Sequence, residues 1–140
     1  MTTSTFVQPY LFFGGRCEEA LEFYQTALGA EIVTLMRYND SPEPHPSGML
    51  PEGYETKVMY SAFRVGGSPL MASDGCGGPA SFEGFTLSLT LPDDAACQRA
   101  FSALADGGEV RMPLGKTFWS PCFGMVADRF GLGWMITVPG

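Results

Sequence analysis

The chain has 140 residues with a formal net charge of −7, 45% hydrophobic and 13% aromatic residues. That length suits a single domain, and that apolar content is enough to offset chain entropy, so a disordered chain is excluded. The eight Lys and Arg are scattered singly among fifteen Asp and Glu, which disfavours nucleic acid and acidic membrane surfaces as partners, because phosphate contacts need clustered positive charge.

Phe6 to Phe13 reads as a buried strand closed by Gly14-Gly15. Arg16 to Leu28 follows with helical periodicity, placing Ala20, Leu21, Phe23, Tyr24, Ala27 and Leu28 on one face, and Gly29 stands where a helix commonly stops. Glu31 to Tyr38 predicts a second strand. Asn39 to Glu55, rich in Pro, Gly, Asp and Ser, predicts a long loop. Lys57 to Val65 and Ser68 to Ser73 predict a hairpin turning at Gly66-Gly67. From Asp74 to Glu83 the composition shifts to Gly, Ser and Pro, as in a linker. Phe85 to Leu91 alternates as a strand, and Pro92-Asp93-Asp94 opens a helix from about Ala95 to Ala105. Glu109 to Met112, Cys122 to Asp128 and Trp134 to Val138 supply three more strands.

The order is thus strand–helix–three strands, twice. An internal similarity supports the duplication: Phe23 to Ile32 resembles Phe101 to Val110, with Phe, Ala, Gly, Glu and a branched aliphatic recurring 78 residues apart. The expected fold is α+β: two βαβββ modules, about residues 1–78 and 79–140, within one domain. The cysteines Cys17, Cys76, Cys97 and Cys122 form no CxxC pair and suit free thiols in a reducing cytosol. Neither a signal peptide nor a membrane span is visible, so the expected location is the cytoplasm.

Pro9-Tyr10-Leu11, Ala20-Leu21-Glu22-Phe23-Tyr24 and Leu28-Gly29-Ala30-Glu31 resemble the opening of PhnB-like proteins. Leu70-Met71-Ala72-Ser73-Asp74, Thr117-Phe118-Trp119, Phe123-Gly124 and Asp128-Arg129-Phe130-Gly131-Leu132-Gly133-Trp134 extend the resemblance over nearly the whole chain. The group falls within the vicinal oxygen chelate superfamily of glyoxalases, bleomycin-resistance proteins and dioxygenases. It has carried the label 3-demethylubiquinone-9 3-methyltransferase. No glycine-rich strand-to-helix turn for a methyl-donor nucleotide is present, so methyl transfer is not expected.

The resemblance implies eight strands curled into an incomplete barrel around a ligand cavity, helices outside, often in a homodimer. It also implies a divalent metal held by one His or Glu on each of four cup strands. Those ligands are missing here. Phe6 to Phe13, Ser68 to Ser73, Phe85 to Leu91 and Gly133 to Val138 contain no His, Asp or Glu. Pro9 and Met135 stand near ligand positions, and Tyr60 stands where His sometimes occurs. The sole histidine is His45, in a Pro-flanked loop. No metal or other cofactor is therefore expected, although Asp74, Glu83 and Cys122 are the residues from which a degenerate site would have to be built.

Candidate cup-lining residues are Tyr10, Tyr60, Phe118, Trp119, Cys122 and Phe123. The two tyrosines offer polar handles. Phe118, Trp119 and Phe123 read as a stacking wall, or as core or interface aromatics. Cys122 reads as a thiolate nucleophile or as a small buried hydrophobe. Asp128, before Arg129-Phe130-Gly131, and Asp74 both suit turns. Met36, Met59, Met71, Met125 and Met135 suit a core or an adaptable cup. The leading functional expectation is a metal-independent binder of a small, partly apolar molecule. The alternatives are a metal- or thiol-dependent enzyme of the same superfamily and a structural dimer without ligand.

Overall fold

The computed structural model describes residues 5–42 and 50–140. Contacts divide the chain into two compact units, Met1–Pro79 and Ala80–Gly140. The first contains β1 (Tyr10–Phe12), α1 (Cys17–Leu28), β2 (Glu31–Arg37), β3 (Val58–Val65) and β4 (Ser68–Ser73). The second contains β5 (Leu87–Thr90), α2 (Asp94–Ala105), β6 (Glu109–Gly115), β7 (Phe123–Ala127) and β8 (Gly133–Thr137). Each unit has one four-stranded sheet, ordered β1-β4-β3-β2 in the first and β5-β8-β7-β6 in the second. In each, the first strand runs parallel to its neighbour and the other pairs are antiparallel. The α+β class and the twofold strand–helix–three-strand order expected from sequence are both present.

The helices form where local chemistry starts and stops them. Asp93 caps α2, its side chain accepting from Ala96 N–H at 2.8 Å. Gly29 ends α1 in the left-handed region at φ 68. There its N–H donates to the Gln25 carbonyl and Ala30 N–H donates to that of Tyr24, a paired closure needing a residue without Cβ.

Cys17, Ala20, Leu21 and Tyr24 are the buried residues of α1, and Cys97, Ala100, Phe101 and Leu104 those of α2. Both sets follow the i, i+3, i+4, i+7 pattern of one helix face. Position by position they stand 80 residues apart, whereas β2 and β6 begin 78 apart. The duplication therefore keeps register at the strands while the helices are buried on differently placed turns. Phe23, Ala27 and Leu28, counted in the α1 face from sequence, are only half-buried. In the first unit the Tyr24 and Phe63 rings stack 6.2 Å apart, joining helix to sheet. In the second, Phe101 and Leu104 of α2 are buried, as are Val126, Trp134 and Ile136 of the sheet.

Several boundaries differ from expectation, two of them by more than a residue or two. β1 covers Tyr10–Phe12 rather than starting at Phe6, because only those residues pair with β4; Phe6 and Val7 are 71% and 95% exposed. β6 runs past Met112 to Gly115, since a proline is tolerated on an edge strand, where its missing N–H breaks no ladder. The eight strands fall into two four-stranded sheets, one in each unit. His45 lies outside the described residues.

Candidate functional site

Each sheet has a face turned to its helix and a face turned away, and the residue period of two decides which side chain goes where. In the first unit Ser61 and Phe63 face α1: Phe63 stacks on Tyr24, and Ser61 Oγ lies 4.0 Å from Cys17 Sγ. Tyr60 and Ala62 therefore project from the opposite face. There Ala62 pairs with Met71, Met71 with Tyr10, and Tyr60 with Met36. The predicted handles Tyr10 and Tyr60 thus share the outer face of one sheet, Tyr10 in ring contact with Phe12 at 5.0 Å.

The remaining predicted site residues belong to the second unit. Phe118, Trp119 and Phe123 form a ladder of edge-to-face rings, with centroids 4.7 and 5.3 Å apart. Phe118 is 98% exposed and Trp119 51%, whereas Phe123 is buried. Cys122 is also buried, and its Sγ lies 3.0 Å from that of Cys97.

The residues named for a degenerate metal site are otherwise engaged or scattered. Asp74 is 2% exposed. Its Oδ1 accepts from the N–H groups of Gly15 (2.9 Å) and Cys17 (2.8 Å), and its Oδ2 from that of Val58 (2.8 Å). These bonds spend the carboxylate on the start of α1 and the entry to β3. Asp128 does comparable work in the second unit, where Oδ1 accepts from Phe130 and Leu132 N–H and Oδ2 from the Trp134 indole. Among the described residues no group of three or more His, Cys, Asp or Glu comes together. The outer faces offer Tyr10, Met71 and Ala62 in one unit and Ser88, Met135 and Met125 in the other. None of these supplies imidazole or carboxylate, so the donor set does not fit a superfamily metal. Nor does the start of α1 fit the anionic part of a methyl-donor nucleotide, because the Gly15 and Cys17 amides already serve Asp74.

Burial tunes several acids. Burial, and secondarily the Asp74 charge, push the Cys17 thiol from 9.0 up to about 12. Cys97 likewise rises to about 12 through burial and its contact with Cys122, and Tyr38 rises from 10.0 to about 12 through burial. The Arg37 guanidinium, at 2.7 Å, holds Glu18 below its ordinary value. For Cys17, Cys97 and Tyr38 the unfolded chain releases its proton before the folded chain does. The stability they contribute is whole below about pH 9 and is lost as pH rises toward about 12. Under reducing conditions the urea midpoint is expected to fall across this window, and Cys17→Ser is expected to shallow the fall. A midpoint flat with pH would contradict this.

A feature that sequence reading missed lies on β6. Val110 pairs with Val126 and Met112 with Met125, leaving Arg111 as the extra residue of a β-bulge. The same irregularity occurs in β2, where Ile32 pairs with Phe63 and Thr34 with Ala62, leaving Val33. Val33 and Arg111 stand 78 residues apart, so the bulge is part of the duplicated unit. A bulge re-aims its side chain out of the regular alternation. Here it brings Arg111 to a cleft of about 640 Å³ that Phe82, Glu83, Phe85, Thr86 and Phe130 also line. Phe82 and Phe130 are each 8% exposed and form firm walls, while Phe85, at 45%, forms a lip. A Cβ on Gly133 would lie 3.1 Å from Thr86 Oγ1 and 3.2 Å from Arg111 Nη1, so the glycine leaves room for the guanidinium. The Arg111 side chain has no ion pair or hydrogen bond among the described residues. The sequence signal was a single Arg between Val110 and Met112, opposite Val33 in the repeat.

The 3-demethylubiquinone-9 3-methyltransferase family model matches residues 5–137. The chain belongs to that family. Protein YjdN of Escherichia coli K12 is 39% identical over 140 residues, covering 94% of each chain. The structure of PA1353 from Pseudomonas aeruginosa is 39% identical, with a TM-score of 0.83 over 97% of this chain and 98% of that one. A glyoxylase/bleomycin resistance protein/dioxygenase domain from Frankia superposes with a TM-score of 0.67 at 11% identity, covering 100% of this chain and 99% of that one. That likeness shows the fold alone. This member of the 3-demethylubiquinone-9 3-methyltransferase family is thus PhnB-like, with the two-module vicinal oxygen chelate fold.

Proposed function

We propose that the protein is a metal-independent binder of a small, partly apolar molecule bearing an anionic group. The observation that carries this reading is Arg111, an unpaired guanidinium re-aimed by a duplicated bulge into a cleft walled by Phe82 and Phe130. An aromatic wall takes the apolar body of a ligand, and the guanidinium fork takes carboxylate or phosphonate oxygens in a fixed geometry. Glu83 on the same cleft favours a second, donor-bearing polar end over a plain fatty chain. The outer-face tyrosines Tyr10 and Tyr60 and the Phe118, Trp119, Cys122 and Phe123 segment remain secondary candidates for ligand contact. A homodimer suits the exposed Phe118 and Trp119 rings, since exposed apolar patches mark interaction surfaces. A cytoplasmic location suits four free thiols. Among the described residues no helix is long and apolar enough to cross a membrane.

Isothermal titration with a panel of aryl carboxylates and aryl phosphonates tests the proposal. One saturable site per chain is expected, with the ligand recovered unchanged. Arg111→Met removes the charge but keeps the chain apolar, and should weaken binding about 10- to 100-fold, the worth of one charged hydrogen-bonding partner. Absence of saturable binding across the panel, or binding indifferent to Arg111→Met, would overturn the reading. Turnover of the ligand would replace it with the enzyme alternative.

A further inference from the structure

Cys97 and Cys122 play no part in the cleft, yet the fold brings two sulfurs from residues 25 positions apart into direct contact. Cys97 sits on the buried face of α2 and Cys122 just before β7. The Cys97 thiol donates to Cys122 Sγ at 3.0 Å, with the Cys122 carbonyl at 3.9 Å. Two non-bonded sulfurs do not ordinarily rest so close, and a modest approach would bring them to bonding distance. The first unit supplies an internal contrast. Cys17 occupies on α1 the place that Cys97 holds on α2, but it faces the Ser61 hydroxyl at 4.0 Å instead of a thiol.

We infer that Cys97 and Cys122 are a redox-responsive pair that closes to an intramolecular disulfide under peroxide. Cys122, 7% exposed against 0% for Cys97, is the sulfur a small oxidant reaches first. Its sulfur also accepts the Cys97 hydrogen bond, so a resolving thiol already points at it. Its thiolate attacks one peroxide oxygen, the O–O bond breaks, and the hydroxide that leaves takes up a proton to become water. Cys122 is then a sulfenic acid. Cys97 sulfur attacks the Cys122 sulfur, the S–O bond breaks, and the departing hydroxide takes the Cys97 proton to leave as a second water. Two thiols and one hydrogen peroxide thus become one disulfide and two waters. Its place on the buried face of α2, with its sulfur 3.0 Å from that of Cys122, suits Cys97 to the resolving role.

The bond would tie α2 to the segment carrying the Phe118–Trp119–Phe123 ring ladder. Ser120 already anchors that segment, its Oγ bonded to the Cys122 and Val138 carbonyls at 2.8 and 2.6 Å. Oxidation should therefore stiffen the segment and change Trp119 emission.

The test treats Cys76→Ser protein, freed of its exposed thiol, with hydrogen peroxide, then blocks remaining thiols in denaturant and maps peptides by mass. The expected result is one Cys97–Cys122 cross-linked peptide lighter by two hydrogens, Cys17 still alkylated, a raised urea midpoint and shifted Trp emission, all reversed by dithiothreitol. Cys97→Ser and Cys122→Ser should each abolish the cross-link. If peroxide leaves Cys97 and Cys122 fully alkylatable, or takes Cys122 to the sulfinic acid without a cross-link, the inference fails. Cys122→Ser in peroxide gives a control independent of folding loss, since Cys97 should then stay a thiol.

Discussion

Asp74→Ala is expected to cost about 4 kcal/mol, a large share of the stability of a domain this size. The carboxylate joins three stretches of chain, accepting from Gly15 and Cys17 at the start of α1 and from Val58 at the start of β3. Its own N–H donates to the Val58 carbonyl at 2.9 Å. Removing the side chain leaves three amide donors without their acceptor in a buried place, and each orphaned donor costs about 1–3 kcal/mol less whatever water recovers. Asp74→Asn should cost about half as much. One oxygen can still serve Gly15 and Cys17, but the amide group then turns a donor toward the Val58 N–H. Urea unfolding followed by circular dichroism measures both. Both tryptophans lie in the second unit, so their fluorescence reports whether loss of the clasp unfolds more than the first unit. A cost within about 0.5 kcal/mol for the alanine variant would show the clasp to be dispensable.

Gly108→Ala is expected to cost about 3 kcal/mol, near the upper end for overpacking. A Cβ there would lie 2.2 Å from the Ala127 carbonyl oxygen and 3.0 Å from the Asp128 backbone. The obstacle is backbone at the place where Glu109 pairs with Ala127, so no rotamer change relieves it. The duplicated position in the first unit is Ala30, which is buried and accommodated. The substitution would therefore make the two junctions more alike in sequence while damaging one. Thermal unfolding followed by Trp134 emission suits the measurement, because the Trp134 indole is bonded to Asp128 at 3.0 Å. A variant as stable as the parent would mean that β6 and β7 can separate at that end without loss.

Much of the architecture was legible because it rests on local chemistry. The Gly29 stop, the Asp93 cap and the two-residue turn joining β3 to β4 are signals within a few residues of the structure they produce. The illegible parts depend on partners distant in sequence. Phe6 and Val7 look like strand interior, but no strand pairs with them, so they project into solvent. Phe23, Ala27 and Leu28 share the periodicity of the α1 core, yet the sheet beneath covers only the turns from Cys17 to Tyr24. For the site, Tyr10 and Tyr60 were named from their phenols alone, and their shared face follows from strand pairing that sequence does not print, whereas Arg111 was not found. A bulge shifts register by one residue without any obligatory residue type, and so leaves no mark in an apolar strand beyond one ill-fitting charge. The contact between Cys97 and Cys122 has no sequence signal at all.

The bulges in β2 and β6 also bear on how copies of this chain can meet. Every open sheet ends in strands whose unpaired amides invite a foreign strand. Within its own sheet, β1 has three residues and β5 four, too few for a lasting ladder. β2 and β6 are longer, but each changes register twice, and β6 adds Pro113. Among the described residues no edge therefore presents the long flat row that runaway strand addition needs. Strand addition between copies is accordingly disfavoured at these edges, which leaves side-chain surfaces as the route by which copies of this chain would meet.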